Sequence, residues 1–173
     1  MRPRRCRRRP SPLRTQGRVA ALAGTVLLTG ALLTGCSFVA PPSQAAELLG
    51  LVNRARSAPR SCGPTAYAAA APLTLDARLT RAAQLHARDM EATGNFSHTG
   101  SDGSTVGERA TAQGYVWSRI GEDIAAGFGS SASVMDAWLN SPGHCANIMD
   151  PKFRDLGTGV AGTYWTLDFG TPR

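Results

Sequence analysis

The most regular hydrophobic pattern in the chain predicts a helix that begins near Thr74 and ends near Gly94. Apolar side chains and one histidine recur along it every three or four positions: Leu75, Leu79, Ala82, His86 and Met90. That period places them on one face of an amphipathic helix. We expect Thr74 to cap this helix, Asp76 to lie in its first turn, and Gly94 to end it.

Similar spacing and turn residues outline the rest of the chain from about residue 45. Further helices are predicted over residues 45–57, 105–113, 130–139 and 141–149. Residues 156–161 and 163–169 have the pattern of two strands joined at Gly162, and residues 120–127 (IGEDIAAG) that of a short strand. Residues 58–73 and 99–107 are predicted loops. Helices that flank a small antiparallel sheet indicate an α+β domain.

The N-terminal segment has the composition of an export signal. Residues 1–18 contain eight arginines and no acidic residue, and an apolar run follows over residues 19–33. The sequence Leu33-Thr34-Gly35-Cys36 resembles a bacterial lipobox, in which the cysteine becomes the lipid-carrying first residue. An ordinary cut after residues 43–45 (SQA) is the alternative. We therefore expect a signal peptide over residues 1–35, an anchor and tether over 36–45, and one domain over 46–173.

Removal of that signal changes the charge of the protein. The whole chain has 19 basic and 12 acidic residues, for a net charge of +7. Eight of the basic residues lie in residues 1–35, which leaves 11 against the same 12 acidic ones. A mature protein with a net charge near −1 has no general attraction for nucleic acid, so nucleic acid is not an expected partner.

The four cysteines divide by position. Cys6 lies in the part that export removes, and Cys36 is the expected site of lipidation. Cys62 and Cys145 remain in an exported domain, where two cysteines favour a disulfide. The alternative is a nucleophilic Cys145 beside His144 in the sequence SPGHCAN, which would leave Cys62 unexplained.

Three histidines and one glutamate are the candidates for site chemistry. His86 lies on the apolar stripe and is interpreted as a hydrogen-bonded core residue. His98 lies in a polar loop, His144 in the first turn of a short helix, and Glu122 inside a short apolar segment. Two imidazoles and a carboxylate can hold a divalent ion or carry out acid–base hydrolysis. The chain has no HExxH or GxSxG motif that would decide between them.

Six segments of the chain follow one another in the order seen in one family. They are LVNRAR, PLTLDARLTRAAQLHARDM, NFSHTGSDGSTVGERATAQGY, IGEDIAAG, VMDAWLNSPGHCANIMDP and LGTGVAGTYWTLDFG. Together they resemble bacterial CAP-domain proteins, the superfamily of cysteine-rich secretory proteins, antigen 5 and pathogenesis-related proteins. The resemblance implies a three-layer α-β-α sandwich with a small central antiparallel sheet. It also implies a cleft in which His98, Glu122 and His144 meet.

The chain departs from the family pattern at three of these positions. Ser141 stands where the family has a second glutamate, and Glu108 is the other residue that could supply that carboxylate. Asp123 replaces the usual asparagine after Glu122. Cys145 stands where many bacterial relatives have arginine, which is consistent with a bridge to Cys62.

The resemblance favours a binding or interaction module at the cell envelope, whose partner is a lipid, a glycan or a protein. His98 and His144 would then hold a divalent metal, Zn²⁺ or Mg²⁺. The alternative is a metal- or Glu-assisted hydrolase, with Glu122 as general base and the two histidines as metal ligands or proton carriers. A purely structural role at the envelope is the third hypothesis.

Overall fold

The structure is a computed structural model that describes residues 43–173. The predicted signal peptide and the predicted lipidation site at Cys36 lie outside those residues. Five helices are α1 Gln44–Arg56, α2 Ala77–Thr93, α3 Val106–Ala112, α4 Ser131–Asn140 and α5 Pro142–Met149. The strands are β1 Arg60–Cys62, β2 Thr65–Tyr67, β3 Thr74–Leu75, β4 Trp117–Ala126, β5 Asp155–Ala161 and β6 Tyr164–Pro172.

Four of the strands form the central sheet, in the order β3-β5-β6-β4. The pairs β5–β6 and β4–β6 are antiparallel, and the turn at Gly162 joins β5 to β6 as predicted. The two-residue strand β3 pairs in parallel with β5, so the sheet is antiparallel except at this edge. Strand β4 lies at the opposite edge, where it contacts α3 on one face of the sheet and α4 and α5 on the other.

The sheet lies between two layers of helices, which confirms the α-β-α sandwich. Helix α2 packs on β5 and β6, and α3 packs beside it against β4. Helices α1, α4 and α5 cover the other face and share with it the main apolar core, which includes Trp138, Trp165 and Phe169. Side chains alternate along each strand, so neighbouring residues face different layers.

Two glycines of β5 allow α2 to lie directly on the sheet. A Cβ on Gly157 or Gly159 would collide with the backbone of α2 at Leu79 or Ala83. Glycine at both positions permits a close approach of helix and strand backbones that any side chain would prevent. This contact fixes α2, and with it His86, against the face of the sheet.

Three local predictions need correction. Thr74 does not cap α2 but belongs to β3; the N-cap is Asp76, whose carboxylate accepts hydrogen bonds from the amides of Arg78 and Leu79. Residues 58–73 are not all loop, because β1 and β2 form a hairpin whose turn contains Gly63 with φ at 59°. Strand β4 begins at Trp117 and is longer than the predicted segment.

The predicted disulfide between Cys62 and Cys145 is confirmed. It joins the β1–β2 hairpin to α5, with 5.4 Å between the two Cα atoms, and both cysteines are buried. The hairpin turn at Gly63 packs on Pro142, the first residue of α5. The start of α5 is therefore fixed by a covalent bond and by packing.

Buried Arg56 holds the other end of α5. Its guanidinium donates hydrogen bonds to the carbonyls of Ile148, Asp150 and Ala71 at 2.7, 2.9 and 2.8 Å. Carbonyls at a helix C-terminus lack partners within the helix, and a cation is favourable there.

Within residues 43–173, no helix is long and apolar enough to cross a membrane.

Candidate functional site

Strand β4 presents two neighbouring acidic residues to opposite sides of the sheet. Glu122 lies opposite Asp168 of β6 and faces α2 and α3, whereas Asp123 lies opposite Leu167 and faces α5. There Asp123 accepts a hydrogen bond of 2.7 Å from the Asn147 side chain. Glu122 is therefore the carboxylate of the predicted cleft, and Asp123 belongs to the packing on the other face.

The carboxylate of Glu122 is bound at both oxygens. His98 Nδ1 lies 2.8 Å from Oε1, and Arg109 Nη2 donates a hydrogen bond of 2.5 Å to Oε2. His86 Nε2 lies 3.8 Å from the same Oε2. The side chain of Glu122 is 2% exposed, so protein groups rather than water stabilise its charge.

These contacts keep Glu122 ionised. Burial alone would raise the pKa of Glu122, but the hydrogen bond with His98 and the positive charge of Arg109 lower it below its ordinary value. An ionised carboxylate cannot donate a proton. Its remaining lone pairs are buried with a side chain that is only 2% exposed, so bulk water has little access to them.

His98 is oriented by Glu122 and projects into solvent. Because the Glu122 carboxylate only accepts hydrogen bonds, Nδ1 of His98 donates to it, and Nε2 is the ring nitrogen that does not contact Glu122. The imidazole is 59% exposed. Arg109 also donates to the backbone carbonyl of His98 at 3.2 Å, so the same guanidinium supports both members of this pair.

His144 lies in the first turn of α5 and is half-buried. Burial lowers the pKa of His144, and the positive charge of a protonated His98 lowers it further. Ser141 has the backbone conformation of an N-cap, but its side chain makes no capping hydrogen bond, contrary to our prediction; Pro142 occupies the first turn as expected. His144 therefore lies close enough to His98 for the charge of His98 to affect it.

Neither candidate for a second glutamate supplies a free carboxylate. Oε2 of Glu108 accepts hydrogen bonds from the amide and the hydroxyl of Thr105, in the capping box that starts α3. Ser141 has no carboxylate to offer. Across residues 43–173, no three His, Cys, Asp or Glu side chains lie close enough together to hold a metal ion.

Two buried residues of the site were missed by the sequence analysis. Arg109 was not among the predicted site residues, but its side chain is only 9% exposed and binds Glu122. Asp168 is fully buried beside Glu122, and neither of its oxygens has a hydrogen-bond partner among the described residues. Burial and the nearby Glu122 carboxylate raise the pKa of Asp168 well above its ordinary value. An acidic residue between apolar neighbours in the predicted strand TLDF was the available signal.

His86 is the hydrogen-bonded core histidine that the sequence predicted. It is 1% exposed, and its Nε2 lies 2.9 Å from the carbonyl oxygen of Ser97. The structure thus brings Glu122 together with His98, Arg109 and His86. The catalytic and metal-binding roles of His98, Glu122 and His144 stay predictions.

The sequence is similar to one protein family and to bacterial proteins. The model of the CAP, or cysteine-rich secretory protein, family matches residues 49–169. YkwD, an uncharacterised protein of Bacillus subtilis strain 168, is 32% identical over 100 residues, which are 57% of this chain and 39% of YkwD. This chain therefore spans only about two fifths of that relative.

Two solved structures share the fold. An extracellular protein from Bacillus anthracis that contains an SCP domain superposes with a TM-score of 0.64 at 27% identity, over 73% of this chain and 40% of that one. A cysteine-rich secretory protein of Staphylococcus aureus gives a TM-score of 0.54 at 15% identity, over 75% of this chain and 40% of that one. The second likeness concerns the fold alone. Since the family model covers most of the sandwich that contains Glu122, this protein belongs to the CAP, or cysteine-rich secretory protein, family.

Proposed function

We propose that this protein is an exported binding module of the cell envelope, and that its cleft holds Zn²⁺ through His98 and His144. The observation that carries this proposal is the state of Glu122. Both of its carboxylate oxygens are engaged, by His98 and by Arg109, in a buried setting. In this arrangement Glu122 orients the imidazole of His98, which would be a ligand of the metal ion.

The geometry disfavours the alternative, a hydrolase with Glu122 as its general base. A catalytic base must reach the proton that it removes, directly or through one water molecule. Each oxygen of Glu122 already accepts a hydrogen bond, and the side chain is only 2% exposed, so a water molecule or substrate has little access to it. In the described part of the chain, no serine side chain is hydrogen-bonded to a histidine ring, and both cysteines are in the disulfide. The geometry therefore disfavours hydrolysis with Glu122 as the base and is compatible with a binding role.

Glu122 and His98 have the arrangement of an oriented metal ligand. In many metal sites a ligating histidine donates its other ring N–H to a carboxylate, which fixes the ring and raises its basicity. Here Nδ1 of His98 donates to Glu122, and Nε2 is available to coordinate. His144 would supply the second imidazole, and its lowered pKa keeps it in the neutral form that binds metal.

Two imidazoles fit Zn²⁺ better than Mg²⁺. Mg²⁺ prefers oxygen ligands, and the carboxylate at this cleft is already engaged. Protein zinc sites use three or four protein ligands. We therefore expect weak zinc binding, with the other positions open to water or to a group of the bound partner. The metal would add a Lewis acid at the cleft and would link the partner to it.

The location and the partner follow from the N-terminus and the family. The arginine-rich segment, the apolar run and the LTGC sequence favour export with lipidation at Cys36. The Bacillus anthracis relative is an extracellular protein, and a disulfide suits an oxidising compartment. The domain would then be tethered at the envelope, where its partner is a lipid, a glycan or another protein. Metabolic labelling with palmitate tests the anchor, because a Cys36→Ser variant that labels equally would exclude it.

Calorimetric titration with zinc tests the metal site. We expect the mature protein to bind one Zn²⁺ and to give no signal with Mg²⁺. His98→Ala and His144→Ala should each weaken binding at least tenfold. Glu122→Gln should weaken it by about 10- to 100-fold, the usual effect of removing a group that orients a ligand. Asp136→Asn, an exposed acid on α4, is the control. Absence of zinc binding, or unchanged affinity in both histidine variants, would refute the proposal.

A further inference from the structure

We propose that a second pocket, between α2 and α3, binds a small organic ammonium ion. This α2–α3 pocket is a cavity of about 390 Å³ lined by α2, residues 100–104 and α3. The side chains that matter here are Leu85, His86, Asp89, Asp102, Glu108 and Arg109. His98, Glu122 and His144 do not line it, so it is separate from the proposed zinc site. Its volume lies within the range of small-molecule sites, about 300–1,000 Å³.

His86 offers this pocket a buried acceptor without a partner. Its Nε2 faces the carbonyl oxygen of Ser97, which can only accept, so Nε2 carries the hydrogen and Nδ1 has the lone pair. Nδ1 is buried and has no hydrogen-bond partner among the described residues, and the whole residue is 1% exposed. Burial lowers the pKa of His86, which maintains the neutral ring. A buried acceptor left without a donor is costly, and an N–H group of a ligand would satisfy it.

The charges at the pocket favour a cation. Asp89, Asp102 and Glu108 all line it, and hydrogen bonds from Ser101, Ser104 and Thr105 lower the pKa of these carboxyls, so they are ionised at neutral pH. The one cationic side chain in the lining is Arg109, and its guanidinium is already paired with the Glu122 carboxylate. Three carboxylates therefore face the pocket without a free cation in its lining.

The other lining groups indicate an organic ammonium ion rather than a metal ion. No three His, Cys, Asp or Glu side chains in residues 43–173 converge closely enough for a metal. Leu85, which is 49% exposed, and the small side chains Ala82 and Ala112 provide an apolar wall for an alkyl chain. Arg109 Nε is a buried donor without a partner, and a hydroxyl on the ligand would accept from it. A short amino alcohol combines these features.

Titration of ¹⁵N-labelled mature protein with 3-amino-1-propanol, followed by NMR, tests the proposal. We expect saturable shifts in the amides of Leu85, Asp102 and Arg109. The Nδ1 resonance of His86 should move in the direction of hydrogen-bond acceptance. Tetramethylammonium has no N–H donor and 1-propanol has no charge, so both should bind at least fivefold more weakly. Binding should also weaken in high salt.

Substitution of exposed acidic residues tests the pocket without disturbing the core of the domain. Asp102→Asn should weaken binding about twofold to fivefold, the effect of one exposed charge. Asp136→Asn on α4 should leave it unchanged. No saturable response, equal binding of 1-propanol, or shifts confined to His98 and His144 would overturn the proposal. Zinc binding is measured separately, so failure of either site does not decide the other.

Discussion

Replacing Arg109 by methionine should strongly destabilise the domain. Methionine keeps most of the aliphatic stem but removes the guanidinium that contacts Glu122, and Glu122 is 2% exposed. Breaking a buried ion pair by removing one partner typically costs about 3–5 kcal/mol, because a charge stays buried without compensation. The carbonyls of Ser104 and His98 would lose their donor as well. For a domain of this size, that loss should lower the Tm by about 10–20 °C.

Urea denaturation of the single variant and of a matched control measures this effect. Arg119→Met is the control, because Arg119 makes a similar contact of 2.6 Å with Asp150 but its side chain is 46% exposed. An exposed pair contributes about 0–1 kcal/mol. If Arg109→Met lowers the free energy of unfolding no more than Arg119→Met does, Glu122 is not a buried anion that depends on Arg109. That result would refute the role assigned to this ion pair.

The pH dependence of the same variant adds a second check. The pKa of folded Glu122 is lowered, so the stabilisation from its ionised form is present above the carboxyl pKa of the unfolded chain. It is lost as the pH falls through the folded pKa. The difference between Arg109→Met and the unmutated protein should therefore shrink in acid. A double-mutant cycle with Glu122→Gln measures the interaction between the two residues. The double variant should lose about 2–3 kcal/mol less free energy of unfolding than the sum of the losses of the two single variants.

Two further predictions concern the disulfide and Asp168. Replacing Cys62 and Cys145 together by serine should lower the free energy of unfolding by about 4 kcal/mol, since the bond closes a loop over a separation of 83 residues; a change below about 1 kcal/mol in urea denaturation would contradict this. Because the pKa of buried Asp168 is raised, ionising this carboxyl costs more free energy in the folded protein than in the unfolded chain. This destabilisation is absent below the carboxyl pKa of the unfolded chain and grows as the pH rises above it. Asp168→Asn should therefore be more stable than the unmutated protein by about 1–3 kcal/mol at pH 7 and nearly equal at pH 3–4; lower stability at pH 7 would refute the argument.

The long elements of the fold were predictable from spacing, and the short ones were not. Helix α2 has an apolar stripe over 17 residues, and a glycine in the left-handed conformation ends it at Gly94 as expected. Strand β3 has two residues and β1 has three, which is too short to display a period. Thr74 and Asp76 are both good capping residues, and only the pairing of Thr74 with Asp155 of β5 decides between them.

The members of the cleft were predictable in part, and their contacts were not. His98 and Glu122 stood out because each is polar without a local structural reason. The partner of Glu122, Arg109, lies on a helix of seven residues, too short to indicate which side chain turns inward. Its contact with Glu122 joins residues 13 positions apart through the packing of α3 on β4. Such a contact follows from tertiary structure, so the sequence could not assign Arg109 its role.

The contacts of Glu122 connect the edge strand β4 to other parts of the fold. Glu122 is contacted by His98 from the loop after α2 and by Arg109 from α3, while Asp168 lies beside it on β6. Asp168 is the member of this acidic pair whose pKa is raised, by its burial and by the nearby charge of Glu122. The contacts with His98 and Arg109 lower the pKa of Glu122, and they connect the loop after α2 and helix α3 to the edge strand. The His98 side chain is exposed and His144 is half-buried, so these two imidazoles, rather than the buried Glu122, are the groups that the proposed zinc ion would reach.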